Sequence, residues 1–332
     1  GFDAGDFTKL DRLLEESGKG IALFNRIDLA AGWIEFCDRK IRQGIKIVST
    51  VSLETLLRLA KAERPDGTGA VPDIFSLRRL DLFSYNEFLS FTHKPAGEQA
   101  VNEFLSRGAF PGLIKTGHTE ALHQLYTEIL CKDAVIAGGI RDRNTLQRMA
   151  LHLITNTGEP VTANKLREKL KIKAVSTAAE HMQCIETAGL VRFVSILSDN
   201  PARQAVNPRK VYAVDTALAA AVSTAETVDR NKLFETMLFN HLCRESRSVC
   251  YTNEQGGCDF IASDAEGGVR CIQACYDDDP DLMQTKTDGL LWALRQTGAS
   301  RGTIVTADRN DRIDAENFEI EVIDADTFLG GY

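Results

Sequence analysis

No apolar run in the 332-residue sequence approaches the roughly 18 residues that a membrane-spanning helix requires. The first residues lack the pattern of a signal peptide, and no low-complexity tract or short-period repeat interrupts the chain. Hydrophobic residues make up 43% and charged residues 26% of the composition, which is ordinary for a globular protein. We therefore expect a multi-domain cytoplasmic protein that has no membrane partner.

The sequence also lacks the cysteine and histidine patterns of metal sites and hydrolases. Its eight cysteines are scattered, which favours free thiols in a reducing compartment over a disulfide framework. Cys258, Cys271 and Cys275 lie in apolar segments without a paired CxxC spacing, where cysteine is typically a small buried residue rather than a zinc ligand. None of the six histidines pairs with Ser or Cys at a suggestive spacing. We expect neither a metal site nor a hydrolase triad.

Positive charge is scarce, since the net charge is −8, but it is unevenly distributed. Residues 145–215 contain ten Lys and Arg against six Asp and Glu, whereas residues 229–332 contain ten against twenty. A basic segment in an acidic chain is where a nucleic-acid contact is expected, because neutralisation of phosphates drives such binding. Ordinary variation of surface charge would give the same counts.

Residues 1–92 alternate between helical and strand patterns. The apolar segments IALFN and IKIVSTVS are separated by the amphipathic segment AGWIEFCDRKIRQG, and FTKLDRLLEES precedes them with helical periodicity. Apolar strands separated by a helix indicate a parallel sheet. The segment SLRRLDLFSYNEFLSF is expected to return through a strand into a helix.

The rest of the chain divides into three further segments. Residues 93–143 have a helical pattern, and residues 144–215 have the order of a winged helix-turn-helix, with LVRFVSI and KVYAVD as the wing strands. Residues 216–332 mix helices and strands, and CDFIAS with VRCIQACY predicts a hairpin. The predicted fold class is therefore α/β, with four domains at 1–92, 93–143, 144–215 and 216–332.

This order of segments resembles a family of bacterial P-loop ATPases of the AAA type. In that family a nucleotide-binding core is followed by a helical lid, a winged helix and a C-terminal domain similar to PD-(D/E)XK nucleases. The resemblance covers nearly the whole chain and rests on the order of IALFNRIDLAAGWIEF, IKIVSTVS, LRRLDLFSYNEFLSF, FLSRGAFPGLI, LYTEILCKDAVIAGGIRDRNTL, VYAVDTAL, CDFI and IQACYD. It implies an incomplete parallel-sheet ATPase core over 1–92 and a restriction-endonuclease-like α/β domain over 216–332.

ATP hydrolysis requires a glycine-rich loop, GxxxxGK[ST], which the sequence does not contain. In the family this loop lies upstream of the present first residue, so we expect that it was removed or never present. Where the family has adjacent acids at a strand end, the sequence has Asn25 and Arg26. The resemblance places Ser49 at a polar sensor position and Arg78 and Arg79 at a phosphate-contacting arginine. We expect a core that binds nucleotide poorly and does not hydrolyse it.

The second helix of the winged-helix segment is the expected recognition helix. Ser176 and Thr177 stand at its start, where such modules present side chains to the major groove. Four lysines precede it and suit phosphate contact: Lys165, Lys169, Lys171 and Lys173. The helix has few base-reading side chains, so one expectation is DNA contact with little sequence-specific readout. The other is docking of a protein partner or self-association, since winged helices also serve these roles.

The predicted hairpin carries a nuclease-like pattern. A PD-(D/E)XK site needs Asp on one strand and Glu-x-Lys on the next, because alternate residues share a face and two acids bind magnesium. Asp259 fits the first position, whereas Gln273 and Cys275 stand at the Glu and Lys positions. Gln lacks the charge that attracts magnesium, and a thiol is a soft ligand. Glu235, in the preceding helix, matches an additional acid that some of these nucleases have.

A displaced lysine would restore part of such a site, and Lys232 and Lys286 are the candidates. Asp288 matches an acid in the helix that follows. With both catalytic centres degraded, the chain is predicted to be a binding or regulatory scaffold that associates with DNA. Two alternatives stay open: an active ATPase whose P-loop lies upstream, and a divergent metal-dependent nuclease. No cofactor is expected in this chain, although the resemblance implies ATP and magnesium.

Overall fold

The computed structural model describes residues 4–53, 55–56, 59, 75–117, 120–131, 134, 140, 142–198, 200, 207–223, 229–254, 256–277, 279–315 and 317–331. The chain divides into two compact units, Gly1–Asp81 and Leu82–Tyr332. Helices and strands are both present, and the strands of the described residues form three sheets. The predicted mixed α/β class is therefore confirmed. No helix of the described residues is long and apolar enough to cross a membrane.

The first unit contains a two-stranded parallel sheet with a helix between its strands. Its elements are α1 (Ala4–Ser17), β1 (Ile21–Phe24), α2 (Trp33–Arg42) and β2 (Lys46–Ser49). The two strands pair in parallel, with Ile21 opposite Lys46. Phe7 of α1 stacks on Phe36 of α2 with ring centroids 4.5 Å apart, in a core that also includes Trp33. The parallel strands expected from the alternation are confirmed.

The strand expected within SLRRLDLFSYNEFLSF is wrong. Residues 75–84 have no regular secondary structure, and only the helix after them forms. Ser84 caps that helix by accepting a hydrogen bond from the backbone N–H of Glu87, whose side chain in turn accepts from the Ser84 N–H. The apolar residues before Ser84 have the pattern of a strand, but a strand also needs the edge of another strand to pair with. The local sequence does not specify such a partner.

The second unit has a long series of helices and two sheets. Its helices are α3 (Tyr85–Thr92), α4 (Glu98–Arg107), α5 (Pro111–Thr116), α6 (Glu120–Ile129), α7 (Arg143–Thr155), α8 (Ala163–Leu170), α9 (Val175–Thr187), α10 (Thr216–Val222), α11 (Arg230–Glu245), α12 (Pro280–Thr297) and α13 (Ala325–Gly330). Its strands are β3 (Pro160–Val161), β4 (Val191–Val194), β5 (Arg209–Ala213), β6 (Ser248–Thr252), β7 (Cys258–Ser263), β8 (Val269–Cys275), β9 (Arg301–Thr306), β10 (Asp311–Ala315) and β11 (Phe318–Asp324).

The smaller sheet, with strand order β3-β5-β4, is antiparallel and follows helices α7, α8 and α9 in the order that the sequence predicts. Strand β3 was not expected, because Gly-Glu-Pro indicates a turn. The turn does form, but Val211 donates its N–H to the Glu159 carbonyl and accepts from Gly158, which extends the sheet by a short edge strand. Residues 201–206 of the predicted loop between β4 and β5 lie outside the described residues.

The larger sheet has the order β10-β11-β9-β8-β7-β6 and buries apolar side chains on both faces. Phe260 and Ile272 join the layer that contains α11, whereas Ile261 joins the layer that contains α12, as strand alternation requires. Strands β7 and β8 form the predicted antiparallel hairpin. Strand β9 pairs with β8 in parallel, and α12 provides the crossover that a parallel pair needs.

The two sheets of the second unit are joined by main-chain hydrogen bonds and aromatic contacts. Tyr251 of β6 donates its N–H to the Ser195 carbonyl at 3.2 Å and accepts from the Leu197 N–H at 2.7 Å. The Tyr212 ring stacks on Phe239 with centroids 4.3 Å apart. One apolar core therefore continues across positions 143 and 215. The four predicted domains stay a prediction.

A buried carboxylate fixes the loop that follows α4. Asp215 caps α10 by accepting the Leu218 N–H at 2.7 Å, and its second oxygen accepts the Ala109 N–H at 2.6 Å. Burial raises the pKa of Asp215 to about 6. Gly108 has a φ of +70°, and a Cβ at this position would overlap both oxygens of the carboxylate. Glycine is needed here for its conformation and for its size.

We expect Gly108→Ala to lower the free energy of unfolding by at least about 2 kcal/mol, because it combines a left-handed backbone with an overlap at Asp215. Urea unfolding followed by circular dichroism measures the loss. Gly112→Ala is the matched control, since a Cβ at Gly112 in α5 has nothing within 4 Å and the φ there is ordinary. The control should change stability by less than about 1 kcal/mol. Equal midpoints for the two variants would contradict this account.

Candidate functional site

Asp259 of the nuclease-like hairpin lies in a group of charged side chains from four elements. We call this group the lysine–carboxylate cluster: Lys210 and Tyr212 on β5, Glu235 on α11, Asp259 on β7 and Lys286 on α12. Lys210 and Tyr212 are two residues apart on one strand, so both side chains project from the same face. The hydrogen bonds between Tyr251 and the end of the smaller sheet bring that face to the larger sheet.

Lys210 bridges the two acids. Its Nζ atom lies 2.8 Å from Oε1 of Glu235 and 3.2 Å from Oδ1 of Asp259. The Tyr212 hydroxyl donates to the same Glu235 oxygen at 2.5 Å. One carboxylate oxygen of Glu235 therefore accepts from both Lys210 and Tyr212 of β5, which fixes the orientation of the acid.

The second oxygen of Asp259 has its own cation. Oδ2 lies 2.5 Å from Nζ of Lys286 and also accepts the Ala274 N–H at 3.1 Å. Both oxygens of Asp259 are thus paired with ammonium groups. The cluster contains two carboxylates and two ammonium groups, so its charges balance internally.

The cluster is largely shielded from solvent. The exposed fraction of the side chains is 9% for Asp259, 14% for Glu235, 15% for Lys210 and 19% for Lys286. Burial alone would raise the pKa of Asp259, but Lys286 and Lys210 outweigh it and hold the pKa well below its ordinary value. Burial alone would lower the pKa of each lysine, but the carboxylates outweigh it and raise both. Asp259, Lys210 and Lys286 therefore carry their charges at neutral pH.

Gln273 is fully buried, and its side-chain amide links three backbone segments by hydrogen bonds. Its Oε1 accepts the Asp259 N–H at 3.0 Å, and its Nε2 donates to the carbonyls of Gly257 at 2.8 Å and Lys286 at 3.0 Å. Gly289 allows this approach of α12, since a Cβ there would overlap the Gly257 carbonyl. The amide thus positions the backbone that carries Lys286, and its oxygen points to a peptide group rather than to a metal position.

Cys275 lies in an apolar layer with Cys258 and Cys271. Its thiol donates to the Asp277 carbonyl at 3.4 Å, and burial raises the pKa of all three thiols. Neutral thiols are poor zinc ligands. Over the described parts of the chain, no group of three or more His, Cys, Asp or Glu side chains is placed to hold a metal ion.

The candidates for a displaced lysine occupy different places. Lys286 contacts Asp259, whereas Lys232 pairs with Glu159 at the turn before β3. Asp288 is exposed and accepts from Gln284 at 2.9 Å, so it does not belong to the cluster. Sequence reasoning missed Lys210 and Tyr212. The available signal was KVYAVD, an apolar strand pattern in which Lys210 and Tyr212 are two residues apart and share a face.

These residues do not fit the magnesium that the resemblance implies. Magnesium needs oxygen ligands with free lone pairs in near-octahedral geometry. The Asp259 oxygens are paired with two ammonium groups, and the oxygen of Gln273 accepts a backbone N–H. A cation could bridge Glu235 and Asp259 only if Lys210 did not occupy the position between them.

The predicted nucleotide-binding residues of the first unit form a local polar network. Asn25 accepts from the Thr50 hydroxyl at 2.7 Å, and Arg26 pairs with Asp28 at 3.0 Å. The side chain that bonds to Asn25 is therefore that of Thr50, whereas the Ser49 hydroxyl donates to the Thr50 carbonyl. Burial alone would raise the pKa of Asp28, but hydrogen bonds from Arg26 and Ser52 outweigh it and lower the pKa. These side chains bind one another, so they do not fit a magnesium–phosphate site.

The two arginines after this network have different surroundings. Arg79 pairs with Asp81 at 2.9 Å, which partly neutralises it. Arg78 is exposed. Neither arginine has a contact that places it at a nucleotide, so their predicted role in phosphate binding stays a prediction.

The predicted DNA-contacting lysines lie on α8 and the turn that follows it. Lys165, Lys169, Lys171 and Lys173 are all exposed, and none of them has an ion pair within the described structure. Lys171 ends α8 in a left-handed conformation with a φ of +58°. The turn therefore places a row of uncompensated positive charges next to the start of α9.

The exposed surface of α9 is poor in groups that read bases. Val175 is 44% exposed, Ser176 is exposed, and Thr177 is half-buried. His181, which looked available from the sequence, is 3% exposed and belongs to the interior. Of the long polar side chains, Glu180 and Gln183 remain exposed.

We expect Asp259→Asn to lower the free energy of unfolding at pH 7 by about 3–5 kcal/mol, because it leaves two buried ammonium groups with one carboxylate. The depressed pKa of Asp259 stabilises the fold above its ordinary pKa of 3.8, and this contribution is lost as pH falls through the folded-state pKa. The difference between variant and parent should therefore narrow in acid. Asp288→Asn is the control, and chemical denaturation should give it nearly the stability of the parent. A similar loss in both variants would contradict the role given to the cluster.

Comparison with known families places one segment of the chain. Residues 98–229 match a family model described as a domain of unknown function, DUF8612. The matched segment runs from α4 to the residue before α11, so it includes Lys210 and Tyr212 but not the acids of the cluster. No curated protein and no solved structure matches the chain.

Proposed function

We propose that this protein is a DNA-binding scaffold in which an ancestral nuclease-like site has become a structural element. The observation that carries the proposal is the set of exposed lysines on α8 and its turn that have no ion pair among the described residues, beside the helix that a winged helix-turn-helix uses for groove contact. The proposed domain assignment is an incomplete AAA-type ATPase core, a helical lid, a winged helix and a PD-(D/E)XK nuclease-like domain.

Phosphate contact is the binding mode that these lysines favour. A lysine whose charge is already used in an ion pair gains less from a phosphate than one whose charge is free, and these four are free within the described structure. The short side chains of Val175 and Ser176 do not form the bidentate contacts that distinguish bases, and Glu180 would repel phosphate. The proposed binding is therefore to the duplex backbone, with little preference for sequence.

The cluster supports the non-catalytic part of the proposal. Nuclease chemistry of this class needs acids that hold magnesium, and both oxygens of Asp259 face ammonium groups instead. Asn25 and Arg26 likewise bind Thr50 and Asp28 in the proposed ATPase core. We infer that the chain retains the shape of both enzymes without their chemistry.

A divergent nuclease is the second candidate, and one observation favours it. Lys286 lies beside Asp259, where a displaced catalytic lysine would be expected, and Glu235 is one bridging lysine away. The third candidate, an ATPase completed by an upstream P-loop, has no comparable support in the first unit.

We expect the Lys169→Ala, Lys171→Ala double variant to weaken binding to duplex DNA and to reduce the slope of log affinity against log salt by about 2. Fluorescence anisotropy between about 0.05 and 0.2 M salt, with two unrelated duplexes, measures both quantities. The affinity should fall equally for the two duplexes.

The control removes the same charge from a different surface. Lys19→Ala with Lys46→Ala changes two exposed lysines of the first unit and should leave the slope unchanged. Unchanged DNA binding in the α8 variant would overturn DNA contact through this surface and favour protein docking or self-association by the winged helix.

We expect no cleavage of single- or double-stranded DNA in magnesium or manganese that depends on Asp259. The measurement compares the parent with Asp259→Ala over a range of metal concentrations, with gel analysis of products. Cleavage by the parent that disappears in a variant with native helix content by circular dichroism would contradict the scaffold and establish the nuclease.

A further inference from the structure

Lys210 occupies the position where a divalent cation would be expected to bridge the acids. Its single Nζ atom is within 3.2 Å of one oxygen from Glu235 and one from Asp259, two acids from different elements. Oxygens that converge on one point are the usual ligands of a hard cation. An ammonium group on a side chain is also a cation with several hydrogen-bond donors, so it satisfies the same pair of oxygens.

Three further contacts hold the Lys210 side chain in this position. The Tyr251 ring of β6 lies with its centroid 5.5 Å from Nζ, in a cation–π contact. The Tyr251 hydroxyl donates to the Pro208 carbonyl at 2.7 Å, just before β5 begins. Tyr212 fixes the Glu235 oxygen that Lys210 contacts. Tyr251 therefore contacts the ammonium group of Lys210 and also holds the backbone just before β5, while Tyr212 fixes the acid that Lys210 contacts.

The charge balance of the cluster depends on this lysine. With Lys210 present, two carboxylates face two ammonium groups, whereas without it Lys286 pairs with Asp259 and Glu235 keeps only its hydrogen bond from Tyr212. A buried carboxylate without a partner is costly, so the remaining site would favour any cation that could enter.

We propose that Lys210 is a built-in replacement for a divalent cation, and that it uses the acids of the nuclease-like site to join β5 to β7 and α11. This role does not depend on DNA binding, and it explains why the site no longer needs or accepts a metal. It also assigns a function to the acids: they hold the smaller sheet against the larger one. Removing the ammonium group should convert the cluster into a divalent-cation site that stabilises the fold.

Lys210→Met tests the proposal, because it keeps most of the side-chain length and removes only the charge. Stability is measured by urea unfolding in EDTA and at increasing concentrations of MnCl₂. The parent should show no dependence on Mn²⁺. The variant should be less stable than the parent in EDTA, and once Mn²⁺ exceeds its Kd the folded-to-unfolded ratio should rise about tenfold for each tenfold increase in free metal.

Two controls make the result specific. Lys232→Met removes a lysine that pairs with Glu159 away from the cluster, and it should gain no Mn²⁺ dependence. Adding Asp259→Asn to Lys210→Met removes one of the two acids and should abolish the stabilisation by Mn²⁺. A Lys210→Met protein that responds to Mn²⁺ no more than the parent would overturn the proposal, as would a response that survives Asp259→Asn.

If Lys210→Met does not fold in EDTA, recovery of folded protein on refolding is the measurement. Circular dichroism should then show native helix content only when Mn²⁺ is present during refolding. Failure to recover helix content with Mn²⁺, while the parent refolds under both conditions, would also overturn the proposal.

Discussion

The bridge from Lys210 to Glu235 and Asp259 is the interaction on which the arrangement of the second unit depends. It joins the central strand of the smaller sheet to β7 of the larger sheet and to α11, which packs on the larger sheet. Buried charges need partners of opposite sign, because each would otherwise lose its hydration without compensation. Separating the two sheets would remove Lys210 from Glu235 and Asp259, whereas Lys286 and Asp259 would stay paired with each other. The apolar contacts among Tyr212, Phe239 and Phe260 add buried area to the same interface.

Most individual elements could be predicted from local sequence, because periodicity and capping are local. The parallel strands β1 and β2, the hairpin of β7 and β8, and the helices of the winged-helix segment follow such patterns. The exceptions depend on a distant partner. Strand β3 exists only because Val211 offers hydrogen bonds to a two-residue edge, and residues 75–84 have a strand pattern without a paired strand. A segment with a weak strand pattern forms a strand only where the edge of another strand is available to pair with it. The local sequence does not contain that information.

In the candidate site, too, some residues follow from local sequence patterns and others depend on distant contacts. Alternation on adjacent strands identified Asp259 and Gln273, but it could not identify Lys210, which is 49 residues away and belongs to another sheet. Nor could it choose between Lys232 and Lys286. Lys232 lies one helical turn from Glu235, so the sequence alone made it as good a candidate as Lys286 for the lysine near Asp259. Its side chain pairs with Glu159 instead. The Gln273 amide decides in favour of Lys286, because it holds the backbone carbonyl of that residue.

The lysines of the basic segment have two different roles. Lys210 is buried in an ion pair, whereas the lysines of α8 and its turn are exposed, so a count of charges along the sequence does not give the charge of the surface. Lys210 belongs to the basic segment 145–215, but its charge is neutralised by ion pairs with Glu235 and Asp259 of the acidic segment 229–332. Asp215 is also buried, so one charge of each sign is withdrawn from the surface of the basic segment and its excess of four remains. That excess is concentrated on α8 and its turn, where the lysines have no protein partner in the described structure. The asymmetry that composition alone left ambiguous is therefore a property of one exposed surface.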